Sequence, residues 1–316
     1  MQAFQTLKSQ EQEATTAGNL NNQGNQLLQQ GKVRQAVDAY RKATELDPDN
    51  AQWHYNLSLA LSRLGETQNQ EEELEKALQL DSHMDLAHND LGLVHLSEGK
   101  MKQAESDFKT ALEINPKFAE AQNNLAIVYS REGQGPDAVT LFRQATQSDP
   151  HYARAFVNLG LELARRGDYP AAEQQIQEAL KLVPNDPGIL NTFGMLEAKM
   201  NHHQESIRAF RGVVAQSPDS SDAHLNLGIA LADNYDLLGA LKEFSEAIRL
   251  APSDAAAYYN KGRVLYDLDR RQEALPLLET ACKCLARPRR PRKCWRDSWR
   301  SIARTLPPII CWDKTC

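Results

Sequence analysis

Cysteine is missing from the first 281 residues of this 316-residue chain; Cys282, Cys284, Cys294, Cys311 and Cys316 all fall in the last 35. The body must therefore hold together without disulfides, and it offers no thiol for nucleophilic catalysis. No run of 18 apolar residues occurs, so no segment reads as a membrane span and no membrane partner is expected. The opening MQAFQTLKSQEQEATT lacks the basic region, apolar stretch and cleavage site of a secretory signal, and the chain is expected to be soluble and cytoplasmic. Basic charge is also scarce in the body. The net charge is −6, but residues 285–316 hold nine Lys or Arg against Asp297 and Asp313, a balance of +7, which leaves −13 on residues 1–284. Phosphate contacts need Lys and Arg in numbers on one face, so no nucleic-acid partner is expected of the body. There is no G-x-S-x-G, no H-E-x-x-H and no phosphate-cradling loop after a strand; Gly133, Gly135 and Pro136 stand in a turn between helices. These absences argue against an enzyme, and no cofactor is implied.

What is present is one pattern, copied. Between Ala119 and Tyr152, Gln122, Leu125, Ala126 and Tyr129 fall at i, i+3, i+4 and i+7, an apolar stripe on a helix. Gly133 and Gly135 break it, and Pro136 sits where a second helix can begin without losing a hydrogen bond. That helix carries Ala138, Phe142 and Ala145 on one face and stops at Asp149 and Pro150. A shift of 34 residues in either direction returns the same pattern without insertion or deletion, giving eight copies. The eighth position of each is Gly24, Ser58, Gly92, Ala126, Gly160, Gly194, Gly228 or Gly262, a small residue where two helices must come close. The twenty-seventh is Ala in every copy but the sixth, where it is Val213.

These in-register units resemble the tetratricopeptide repeat, and the resemblance covers 272 of the 316 residues. It implies an all-α fold, a right-handed superhelical solenoid of helix-turn-helix units, each touching only its neighbours. The copies are 17–50, 51–84, 85–118, 119–152, 153–186, 187–220, 221–254 and 255–286, with the eighth losing its character after Ala281. Residues 1–16 are expected to be a lead-in helix or the remnant of an upstream region. Asn19, Asn21, Asn22, Gln23 and Asn25 suit a first copy that faces water. Residues 287–316, rich in Arg, Cys and Trp, are open to three readings: a frameshifted end, a capping helix with Trp295, Trp299, Ile302 and Leu306 on one face, or a basic or metal-binding tail. The cysteine gaps do not match zinc-finger or zinc-ribbon spacing.

In this family the first helices line a concave groove, and the sixth position looks into it. Here that position reads Asn22, Asn56, Asp90, Asn124, Asn158, Thr192, Asn226 and Asn260. A carboxamide carries a donor and an acceptor together, so a row of them can pair with an extended peptide backbone whatever its side chains. The row is similar to the asparagine ladder of the O-linked N-acetylglucosamine transferases; Asn at this place is also simply the family's habit. Apolar footholds are expected from the ninth position, with Leu93, Ile127 and Leu161, and a basic stripe from the thirteenth, with Arg131, Arg165 and Lys199. These cations could equally serve the carboxyl ends of their own helices. The fifth position has no Lys, which disfavours the family's capture of a free carboxyl terminus.

His54, His88 and His224 recur at the fourth position, one per separate copy, and are expected to pack; no metal site is expected there or at the adjacent pair His202 and His203. The acidic run Glu71, Glu72 and Glu73 reads as a solvated face. The expected function is a non-catalytic scaffold that binds an extended peptide or partner protein in its groove. The alternative is the substrate-recognition part of a larger enzyme, such as a protein glycosyltransferase, whose catalytic domain is absent.

Overall fold

The computed structural model describes the backbone of residues 2–286 and the side chains of residues 12–284. The tail readings for residues 287–316, with the Trp stripe and Cys294, Cys311 and Cys316, lie outside the described residues, as do the side chains of Phe4 and Leu7.

Sixteen α-helices and no strand occur among the described residues. The chain divides between Arg166 and Gly167 into two compact units. The first contains α1 (Gln2–Gln29), α2 (Val33–Leu46), α3 (Ala51–Leu64), α4 (Thr67–Leu80) and α5 (Asp85–Ser97). It continues with α6 (Met101–Ile114), α7 (Ala119–Arg131), α8 (Gly135–Ser148) and α9 (Ala153–Arg165). The second contains α10 (Tyr169–Leu182), α11 (Pro187–Lys199), α12 (His203–Gln216), α13 (Ser221–Asp233), α14 (Leu237–Leu250), α15 (Ala255–Asp267) and α16 (Arg271–Ala286). Within each unit every helix packs on the next, the solenoid order of helix-turn-helix units. Residues 2–16 are the first part of α1, continuous with the first helix of the first copy.

The helix ends follow from local chemistry. Each first helix closes on a residue of positive φ at the fifteenth position. Gly31, Gly65, Gly99, Gly133 and Gly167 adopt it at 74° to 85°, where a Cβ is unwelcome. Asn201, Tyr235 and Asp269 take the same turn in the last three copies. Side-chain caps start several helices: Asn50, Asp186, Ser220 and Asp254 each accept a backbone N–H from the first turn that follows. Pro136 occupies the first turn of α8.

The core explains the repeated small residues. A Cβ built on Gly92 would meet the Phe108 ring at 2.7 Å, on Gly228 the Phe244 ring at 2.6 Å, and on Gly24 the Tyr40 ring at 2.5 Å. The eighth position of the first helix is thus the seat of the large ring on the second. The twenty-seventh-position alanines Ala43, Ala77, Ala111, Ala145, Ala179, Ala247 and Ala281 are all fully buried.

Candidate functional site

The first helices of successive copies touch one another, α1 with α3, α5 with α7 and α7 with α9 in the first unit, and α13 with α15 in the second. The sixth-position asparagines lie along these contacts and bond to their neighbours. Asn56 Nδ2 donates to Asn21 Oδ1 at 2.8 Å, Asn124 Nδ2 to Asn89 Oδ1 at 2.9 Å and Asn158 Nδ2 to Asn123 Oδ1 at 2.8 Å. In the second unit Asn226 Nδ2 donates to Asn191 Oδ1 at 2.9 Å. Each bond joins the sixth position of one copy to the fifth of the copy before. Where the fifth position is Tyr55, its hydroxyl donates to Asp90 instead, and burial raises the Asp90 carboxyl above the usual range while hydrogen bonds from Tyr55 and Asn89 oppose the rise. Where it is Leu225, no such rung forms and Asn260 Nδ2 turns to Ala256 O in its own helix.

These rungs leave the asparagines unequal. Asn124 is 8% exposed and its oxygen accepts from Asn123; Asn260 is 5% exposed. The oxygen of Asn56 accepts from Gln52. Asn158 and Asn226 are half-buried, and their carbonyl oxygens accept no hydrogen bond among the described residues. The recurrence of Asn21, Asn89, Asn123 and Asn191 at the fifth position is the sequence signal for the rungs.

The residues expected as footholds and cations differ in exposure and engagement. Leu93 and Leu161 are 41% and 48% exposed, and Ile127 is half-buried. In the second unit a cavity of about 290 Å³ is lined by Met195, Lys199, Phe210, Asn226 and Ile229 among others. Residues of the sixth, ninth and thirteenth positions thus meet around one hollow there. A larger hollow, about 540 Å³, lies by Leu112, Gln122 and Gln144 and includes none of the predicted residues. Arg131 and Lys199 are exposed. Arg165 is engaged: its guanidinium donates to Ser130 O at 3.1 Å, to Ser130 Oγ and to Glu162, a carboxylate that the sequence did not single out and that is buried.

The fourth-position histidines are wired into their own copies. His54 Nδ1 meets Glu73 at 2.5 Å and His224 Nδ1 meets Glu243 at 2.6 Å, while the Nε2 atoms contact Pro48 O and Pro218 O, both at 2.9 Å. The hydrogen bond to Glu73 holds the His54 imidazole above its ordinary pKa, although burial opposes it. Burial also works against the Glu73 charge, but hydrogen bonds from His54 and Lys76 outweigh it and hold that carboxyl low. Glu73 is therefore a half-buried partner, whereas Glu72 is exposed.

A second buried carboxylate escaped the sequence reading. Glu197 on α11 is completely buried, and burial raises its carboxyl above the usual range. It occupies the eleventh position, where Leu27, Leu61, Leu163, Leu231 and Leu265 stand in other copies. That departure was the available signal. His202 Nδ1 meets its Oε2 at 2.8 Å, and its Oε1 has no partner.

Family models described as tetratricopeptide repeat match residues 123–187, 191–255 and 236–287, and others match 24–65, 51–83 and 86–118. Among curated proteins, FlbA of Caulobacter vibrioides is 27% identical over 100 residues. That stretch is 32% of this chain and 17% of FlbA, so the chain spans about a sixth of the relative it matches. Among solved structures, PilF of Pseudomonas aeruginosa superposes with a TM-score of 0.61 at 19% identity, covering 70% of this chain and 99% of that one. A tetratricopeptide repeat protein of Parabacteroides merdae gives 0.58 at 17% identity, covering 85% and 99%. YrrB, described as having an unusual peptide-binding site, gives 0.51 at 24% identity over 60% of this chain and 97% of its own.

Proposed function

Because the chain belongs to the tetratricopeptide repeat family, whose arrays serve as protein-interaction scaffolds, we propose that it holds an extended segment of a partner protein against the first-helix face of its copies. The state of Asn158 and Asn226 carries this reading. One N–H of each amide is fixed to the preceding copy at 2.8 and 2.9 Å, while the carbonyl oxygen is left for an incoming backbone N–H. An amide already held in place loses little freedom when the peptide arrives, so more of its hydrogen-bond energy appears as affinity. The hollow beside Asn226 supplies an apolar wall from Met195 and Ile229 and a cation from Lys199. The 34-residue register assigns the corresponding roles in the first unit to Ile127, Leu161, Asn158 and Arg131. The partner segment is therefore apolar with acidic residues beside the apolar ones, and no bond to it is made or broken.

The test is selection of ligands from a displayed library of random peptides by the full-length chain, followed by affinity measurement. The selected peptides should combine apolar and acidic residues. Asn158→Ala or Asn226→Ala should weaken them about tenfold, the equivalent of about 1.4 kcal/mol for one lost backbone contact. Unchanged affinity in both variants would remove the asparagine row from the site.

A further inference from the structure

We infer that Glu173, Glu197 and His202 form a site for one divalent transition-metal ion of the Zn²⁺ type, where the second helix of the fifth copy meets the sixth. One ligand atom from each lies within 4.8 Å of the others. All three belong to the second unit: Glu173 on α10, Glu197 on α11, and His202 at the start of α12. The tight turn through Asn201, with φ of 61°, folds His202 back over Glu197, and His202 N donates to Glu197 O at 2.9 Å.

Glu197 demands an explanation. It is fully buried at a place where five other copies keep leucine, and its Oε1 has no hydrogen-bond partner. A buried ionised carboxylate is costly unless it is paired or coordinates a metal. His202 satisfies one oxygen only. Glu173, half-buried, accepts from Gln177 and adds a second negative charge to the same corner. Even a protonated imidazole leaves the three groups one positive charge short of neutrality.

Elsewhere in the chain the same corner carries a lysine, which also meets Glu98 at 2.7 Å, and a histidine that also meets Asp107 at 2.6 Å. The twenty-first position of one copy meets the eleventh and sixteenth of the next. Between the second and third copies these are Glu71, His95 and Lys100. There the Lys100 ammonium sits 3.1 Å from Glu71, and His95 Nε2 lies 3.2 Å from the same carboxylate. At four other junctions the first two positions are apolar, and Val37 with Leu61 and Ile207 with Leu231 share a core; between the third and fourth copies Glu105 accepts from the Tyr129 hydroxyl at 3.3 Å. Between the fifth and sixth copies the corner is acidic, and His202 stands where the lysine was. Two carboxylates and an imidazole are a borderline donor set that suits Zn²⁺, with a fourth position left to water. Zn–N and Zn–O bonds of about 2.0–2.1 Å require ligand atoms about 3.3 Å apart, a contraction that the exposed His202 and half-buried Glu173 can supply by rotation. The metal would take the place of the proton between His202 Nδ1 and Glu197 Oε2.

The experiment measures Zn²⁺ bound per full-length chain by equilibrium dialysis, and the melting temperature with and without Zn²⁺. It compares the natural chain with Glu197→Leu and with His202→Gln. Whatever zinc the cysteines Cys282, Cys284, Cys294, Cys311 and Cys316 take up is common to all three chains, so the difference is the readout. Both variants should lose one bound ion, weaken that site by roughly 100-fold or more, and lose the zinc-dependent rise in melting temperature. Glu197→Leu should fold at least as stably as the metal-free natural chain, since leucine fits the other copies. If that variant does not fold, His202→Gln, a change at the surface, carries the test. Equal zinc content in the natural chain and either folded variant overturns the site, and so does a natural chain whose melting temperature ignores zinc.

Discussion

The third copy and the seventh share an apolar frame and differ in their polar wiring. In both, a histidine stands at the fourth position, a glycine at the eighth and a phenylalanine ring over that glycine. In the seventh, Glu243 reaches His224 at 2.6 Å, and the second copy repeats this with Glu73 and His54. In the third the carboxylate is Asp107, one methylene shorter. It bonds His95 at 2.6 Å instead, and His88 Nδ1 is buried without a partner. Burial raises the Asp107 carboxyl, with the bond from His95 opposing it. The packing tolerates either network, because the ring and glycine hold the helix pair whichever partners the polar groups take.

Removing the shared frame should erase the comparison. Phe108→Ala and Phe244→Ala should each cost about 3–5 kcal/mol, similarly in the two copies, as read by denaturant unfolding with hydrogen exchange to localise the loss. A large inequality would show that the frames are not equivalent. A smaller effect comes from exchanging the wiring. Glu73→Asp should impose the third-copy state on the second, leave His54 without its carboxylate and cost about 1 kcal/mol. If nitrogen chemical shifts show His54 still bonded, length is not the reason. The smallest effect is the pH dependence. His54 has its pKa raised above 6.5, so its contribution is complete below pH 6.5 and fades as pH rises through the raised value. Glu73 has its pKa lowered from 4.5, so its contribution holds above pH 4.5 and fades as pH falls through the lowered value. The pair is strongest between those limits. Glu73→Gln should remove this bell, a change of less than about 1 kcal/mol, and a stability curve of unchanged shape would deny the pair its role.

Legibility in the sequence follows the range of the interaction. The helix pairs, the small eighth position and the twenty-seventh-position alanines were readable because apolar periodicity repeats locally. The asparagines from Asn56 to Asn260 were readable as a repeated position, but not as a set of unequal groups. Each rung amide N–H is spent on a neighbour 35 residues away, as Asn124 on Asn89, whereas the oxygen is spent or left according to Asn123 or Gln52 in the same helix. His54 and His224 are buried as expected, yet the choice between Glu73 and Asp107 as partner turns on a methylene that residue type alone does not weigh. Glu162 and Glu197 were missed because a glutamate in a helix ordinarily reads as surface. Only comparison with Leu231 and Leu265 in the same register reveals that Glu197 stands on a core position.

The asparagine rungs also bear on how the last copies melt. In a linear array each boundary between neighbours is a step at which an unfolding front can pause. The boundary between the sixth and seventh copies has a polar latch, from Asn226 to Asn191, in addition to its packing. The boundary between the seventh and eighth has packing without that latch, since Leu225 has no amide to accept from Asn260. The helix α16 beyond it also carries Pro276, which cannot complete the helical ladder. An unfolding front that starts in α16 and moves toward α11 should therefore cross the unlatched boundary between the seventh and eighth copies more easily than the latched one between the sixth and seventh.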